Sequence, residues 1–314
     1  MRVLLYGDVH LDTSAERYGF ERPALDPADW DAVVTLGDVV HRTREDYDDP
    51  AHGQRYERRG RAFFERLDGS GVPVVAVPGN HDPLDATRRL TDGLDNVVVA
   101  HRRLVTVDDF PALDPDWEGV GFAGWGCEAF DQGPELGYLD VPSLDPRRDA
   151  GSADAYDLVR STGERIESVV GRLLAGESDI AAAVDALDPA PADRPTVRRQ
   201  LEALRETFSD VRAVLAGHDG PVVSLSHVSP FFVAFDSHHR DRDRAAFPTG
   251  SIALKMALYD TSPMAAFSGH THVRGTDVIR GSDGLTYAFN PGENVVEVSI
   301  RPARGQVQPA DVSL

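Results

Sequence analysis

Apolar residues near the start of the chain fall in three short, valine-rich runs, residues 3–6, 32–36 and 72–77, and each run ends in a polar cluster. Continuous apolar runs of this length predict strands of a largely parallel sheet, buried on both faces. The polar clusters then stand at strand C-termini, the edge where open α/β sheets place their ligands. Between the second and third runs, residues 54–67 space Tyr56, Phe63, Phe64 and Leu67 among arginines and glutamates in a helical rhythm closed by Gly69 and Gly71. That segment completes a βαβ unit. Residues 96–99, 104–107 and 119–123 read as short strands with no helix between them, which predicts a switch toward antiparallel pairing.

The texture changes over about residues 140–216, where helical stretches at 155–174, 180–187 and 196–215 are punctuated by Pro189, Pro191 and Pro195. The expectation is one domain over residues 1–314 that carries this segment as a helical insertion or cap. Strand texture returns at 222–225, followed by a helix at 250–259, a strand at 265–267 and terminal strands at 285–289 and 295–300.

Composition adds a setting. At 314 residues with 41% hydrophobic content the chain can build a substantial core. Its 52 acidic residues against 32 basic ones give a net charge of −20, which opposes docking on anionic membranes or nucleic acid through a general basic surface. The excess carboxylate is spread along the chain, from Asp26 to Asp311, rather than gathered in a tail, and Lys255 is the only lysine. This pattern suggests a high-salt cytoplasm, where a Debye length of about 3 Å at 1 M leaves net charge uninformative about a polyanionic partner. Cys127 stands alone, which excludes an intrachain disulfide and a cysteine-based zinc site. The first eight residues hold too short an apolar run for a signal peptide, and no segment approaches the roughly 20 apolar residues of a membrane span. A soluble cytoplasmic protein with no membrane partner is expected.

The candidate chemistry lies in the polar clusters. Asp8-x-His10 offers an oxygen and a nitrogen donor two residues apart, though alone such a tripeptide is usually an ordinary loop. Gly37-Asp38 supplies a carboxylate able to span two cations, and Gly79-Asn80-His81-Asp82 sets an amide oxygen beside an imidazole directly after an apolar strand. Ser226-His227 follows another apolar run, and Gly269-His270-Thr271-His272 presents two imidazoles astride one residue.

In this order the five clusters resemble the calcineurin-like metallophosphoesterase superfamily, over residues 3–291 apart from the helical segment. More narrowly, His227-Val-Ser-Pro230, Gly250-Ser251, Gly269-His-Thr-His272 and Asn290-Pro-Gly292 look like the closing half of the Icc-related archaeal phosphoesterases. The resemblance implies a four-layer α/β/β/α sandwich of two mixed sheets. It also implies two divalent transition-metal ions. Asp8, His10 and His272 would hold the first, Asn80, His227 and His270 the second, and Asp38 would bridge them. Oxygen and nitrogen ligands without thiolate suit Mn²⁺, Fe or Zn²⁺, with Mn²⁺ the expected choice.

The implied activity is hydrolysis of a small phosphate ester, a phosphodiester rather than a monoester, by a hydroxide shared between the metals. His81 would face substrate, to stabilise phosphoryl oxygens or protonate the leaving alkoxide. Asp82 would orient His81, or else cap the helix that starts near Pro83. Arg42 would clamp phosphate, or else form a surface salt bridge; His41 stands beside it where some relatives have aspartate. His238, His239 and Arg240 would line the substrate entrance or be solvated, whereas His52, His101 and His218 read as structural or surface residues. Two alternatives are a DNA or RNA nuclease of the same superfamily, since Gly-Asp-Val-Val-His41 resembles its repair branch, and a non-catalytic interaction scaffold. No basic groove favours the nuclease. A scaffold would be expected to have lost one of these ligands or His81.

Overall fold

A computed structural model describes residues 1–11, 27–42, 50–130, 135–136, 141–145, 155–236 and 248–311. The three N-terminal apolar runs form β1 (Arg2–Tyr6), β2 (Ala32–Thr35) and β3 (Val74–Ala76), paired in parallel as neighbours. Helix α1 (Pro50–Asp68) makes the expected crossover. A second helix, α2 (Leu84–Thr91), separates β3 from β4 (Val97–Val99). This is the helix expected to start near Pro83, and its crossover makes β4 parallel to β3. The expected switch to antiparallel pairing therefore begins one strand later, between β5 (Arg103–Val105) and β6 (Gly121–Trp125).

Next come the helices α3 (Ala155–Leu174), α4 (Ile180–Leu187) and α5 (Arg194–Leu215). After them the chain runs through β7 (Val222–Ser226), α6 (Ile252–Thr261), β8 (Ala265–Ser268), β9 (Gly275–Arg280), β10 (Leu285–Asn290), β11 (Val295–Arg301) and β12 (Gln306–Asp311). The first sheet has the order β12-β11-β1-β2-β3-β4 and the second β5-β6-β7-β8-β10-β9. Both are mixed, as the resemblance implies: β1–β4 run parallel as the apolar runs predict, while β11 and β12 add antiparallel strands to the edge of the first sheet and β5 and β9 form antiparallel edges of the second. Neither β9 nor β12 shows in the hydrophobic pattern. Both are edge strands, and β12 contains Pro309, which only an edge tolerates.

Alternation along each strand builds the layers. In β1, Val3 and Leu5 face a core shared with Val223 and Leu225 of β7 and Phe267 of β8, while Leu4 and Tyr6 face Tyr56 and Phe64 of α1 and Leu90 of α2. In β8, Ala266 faces Leu215 of α5 and Leu254 and Leu258 of α6. The result is helices, sheet, sheet, helices. Helices α3 and α4 pack with the first half of α5 in a separate cluster that reaches Phe231 and Ile252. Helix α5 thus joins both clusters, its later residues Val211 and Leu215 lying on the second sheet. Among the described residues no helix is long and apolar enough to cross a membrane.

Candidate metal centre

The C-terminal ends of β1, β2 and β3 in one sheet and of β7 and β8 in the other meet at one place. Two contacts tie them: the His227 imidazole Nδ1 lies 2.7 Å from the Leu36 carbonyl, and the His270 amide donates to Asp8 Oδ1 at 2.8 Å. Only glycine fits some of these turns. Gly37 has φ +87°, and a Cβ there would lie 2.5 Å from the Gly79 Cα and 2.7 Å from His227 Nδ1. Strain concentrates on the donors themselves, since His10, Asp38, His270 and His272 all adopt positive φ between 44° and 69°. Each such residue costs roughly 1–2 kcal/mol, a cost that persists at functional sites when the surroundings hold the backbone in place.

All seven expected ligands come together, in two groups. In the first, donor atoms of Asp8, His10, Asp38 and His272 lie within 4.8 Å of one another, and Nε2 of His10 is 3.0 Å from Nε2 of His272. In the second, Asn80 Oδ1 lies 2.8 Å from His227 Nε2 and 3.0 Å from His270 Nδ1. Asp38 Oδ2 belongs to both, 3.6 Å from His10 Nε2 and 3.4 Å from His227 Nε2.

The electrostatics match this chemistry. Burial pushes Asp8 upward and pushes His10 well down. Burial also opposes charge on both Asp38 and His227, but their mutual attraction wins, holding Asp38 well below the usual carboxylate range and raising His227 to about 9. Carboxylates that draw a proton this strongly onto a buried imidazole draw a divalent cation for the same reason. The donor set fits a metal: two nitrogen lone pairs facing each other at 3.0 Å repel unless a proton or a cation lies between them.

His81 stands beside Asp38. Its amide donates to Asp38 Oδ1 at 2.8 Å, its Nδ1 edge lies on the Arg42 backbone, and its Nε2 is 4.0 Å from Asp38 Oδ2. The ring stacks on His41 at 4.9 Å and meets Phe130 edge-on at 5.4 Å. The Arg42 guanidinium lies 5.5 Å over the ring of Tyr56, whose hydroxyl donates to the His81 carbonyl.

Asp82 departs from both expectations. Its carboxylate turns away from the His81 ring and accepts from the amides of Gly79 at 2.9 Å and of Asp38 and Val39 at 2.8 Å. Nor does it cap the next helix, whose N-cap is Pro83 with no side-chain cap bond. The reason is that three buried amides of two adjoining turns need an acceptor, and Asp82 sits between them. Asp82→Ala is expected to destabilise the fold by about 3 kcal/mol or more, at roughly 1–3 kcal/mol for each stranded amide. Urea unfolding measures this, and a loss under about 1 kcal/mol would contradict the bracing role.

Sequence reading missed three participants. His41 Nδ1 lies 3.2 Å from His10 Nδ1, and His10, His41 and His81 present donor atoms within 4.8 Å of one another. Glu293 Oε1 lies 2.6 Å from His272 Nδ1. Asn290 donates to the Gly269 carbonyl at 2.8 Å and to Thr271 Oγ1 at 3.0 Å, holding the His270–His272 loop from below. The Asn290-Pro-Gly292 motif was the available signal for the last two. His238, His239 and Arg240 lie outside the described residues. His101, read as a structural or surface residue, is structural: its side chain is buried beside Trp125 and accepts from the Gly126 amide.

Two mixed sheets between helices, with aspartates, asparagine and histidines gathered at their strand ends, define a phosphoesterase-type sandwich. A family model described as calcineurin-like phosphoesterase matches residues 1–274, and the chain belongs to that family of metal-dependent phosphoester hydrolases. In fold, the chain is similar to a solved crystal structure with 14% identity and a TM-score of 0.51, over 99% of each chain. It is also similar to the crystal structure of a Thermus thermophilus protein, TT1561, with 13% identity and a TM-score of 0.44 over 99% of this chain and 98% of that one. No curated protein matches the chain.

Proposed function

We propose that this chain is a phosphodiesterase with a dinuclear centre, loaded with Mn²⁺ and working in a salty cytoplasm. Asp8, His10 and His272 hold one cation, Asn80, His227 and His270 the other, and Asp38 both. The observation that carries this reading is Asp38 Oδ2, set 3.6 Å from a histidine of one group and 3.4 Å from a histidine of the other. Cations bound there supply two things, a water with its pKa lowered toward neutrality and neutralisation of the phosphoryl oxygens.

The chain's own residues do the rest. His81, with its Nδ1 edge on the Arg42 backbone and Nε2 toward Asp38, protonates the leaving oxygen or steadies the phosphoryl charge. Arg42, braced on Tyr56, clamps phosphate. Helices α3 and α4 cap the site, a role supported by their packing on Phe231 and Ile252, within the segments that follow His227 and Ser251. The diester preference rests on the Icc-like sequence of 227–230 and 290–292.

Metal analysis of the purified protein, followed by assays of bis-p-nitrophenyl phosphate, p-nitrophenyl phosphate and single- and double-stranded DNA at high salt, tests this. Mn²⁺-dependent turnover, faster on the small diester than on the monoester or DNA, is expected. A protein without transition metal that turned over none of these with Mn²⁺ added would end the proposal.

A further inference from the structure

Each imidazole of the proposed centre has two nitrogens, and what touches the outer one differs from residue to residue. The outer nitrogen of His227 faces the neutral Leu36 carbonyl at 2.7 Å, and that of His10 faces another imidazole, His41. That of His272 faces a carboxylate, Glu293, at 2.6 Å. A carboxylate fixes the tautomer as Nδ1–H and leaves the Nε2 lone pair aimed at His10 Nε2 3.0 Å away.

The turn that carries Glu293 is built for this placement. Asn290 Oδ1 accepts from the Gly292 amide at 2.7 Å, while its amide nitrogen holds the Gly269 carbonyl and Thr271. Gly292 has φ +63°, and a Cβ there would lie 3.0 Å from the Arg274 amide nitrogen and 3.2 Å from the His272 carbonyl. On its other side, a Cβ at Gly7 would come within 1.8 Å of the Gly292 carbonyl. The turn is therefore wedged between the end of β1 and the His270–His272 loop, and Glu293 is its next residue.

We infer that Glu293 is a positioning residue of the first cation site, holding His272 in one tautomer and orientation and lending it negative charge. This rests on the dinuclear reading above. It predicts an asymmetry: loss of Glu293 weakens the cation held by Asp8, His10 and His272 and spares the one held by Asn80, His227 and His270. Outer partners of this kind are worth about 10–100-fold in metal affinity.

The test is calorimetric titration of Mn²⁺ into chelator-stripped wild type, Glu293→Ala and Glu293→Gln. Glu293→Ala is expected to weaken one of two sites about 10–100-fold and leave the other unchanged, with the melting temperature without metal also unchanged. Glu293→Gln, which keeps an oxygen to accept Nδ1–H, recovers part of the loss. Nitrogen spectra of ¹⁵N-histidine-labelled protein give a second readout. The imidazole signal absent from His272→Gln shows a bare Nε2 in wild type and averaged tautomers in Glu293→Ala. Two sites of unaltered affinity in Glu293→Ala, or an unaltered His272 tautomer, would overturn this role alone. Wild type that takes up no Mn²⁺ would overturn it together with the dinuclear reading.

Discussion

Asp38→Asn is expected to lower metal content and abolish hydrolysis while leaving the backbone in place. Asparagine tolerates the left-handed conformation at φ +51°, and its Oδ1 can still accept from the His81 amide. What changes is the other oxygen. An NH₂ group then stands where Oδ2 lies between His10 Nε2 and His227 Nε2, presenting donors where a shared cation needs an acceptor. Losing a single electrostatic contact to a transition state costs about 10²–10³-fold. This substitution disables a ligand common to both groups, so a loss above about 10³-fold is expected. Metal analysis beside turnover of bis-p-nitrophenyl phosphate measures it. A variant with full metal and a tenth of wild-type activity would refute the bridging role.

His81→Ala is expected to do the opposite to metal and nearly the same to rate. The His81 ring reaches only to 4.0 Å from Asp38 Oδ2, and the main-chain bond from residue 81 to Asp38 survives the change. Metal content is therefore expected to stay at the wild-type level. The rate falls by about 10²–10⁴-fold, the usual contribution of a positioned general acid. The loss discriminates between the two jobs proposed for this ring. A proton donor matters most for a poor leaving group, so an alkyl diester is expected to suffer more than a nitrophenyl diester. Equal losses on both would instead assign His81 to the phosphoryl oxygens, and activity within tenfold of wild type on both would remove it from catalysis.

The donor clusters were legible because each is local: a buried apolar run, a glycine or serine, then a donor at the strand end. The role of Asp82 was not. Its neighbour in sequence is His81, but its carboxylate bonds to the amide of Asp38, 44 positions earlier, because that turn and its own have buried amides to satisfy. Glu293 is one of 52 acidic residues, and only the packing of its turn against the His272 loop sets it apart. His41 reads as a replaced aspartate beside Arg42, yet the loop bonds from His10 to Asp38 and from His41 to Leu11 bring its ring against His10 and His81.

Most strand and helix positions and the order of the donor loops follow from the sequence by itself, because periodicity and short motifs are properties of neighbouring residues, and the phosphoesterase character follows from the resemblance of those motifs to a known family. How the sheets are mixed, which side chain braces which turn and the joining of both donor groups at Asp38 were decided only in the tertiary structure. Contacts such as His227 to Leu36, 191 positions apart, depend on two sheets packing face to face, and no local pattern encodes that distance.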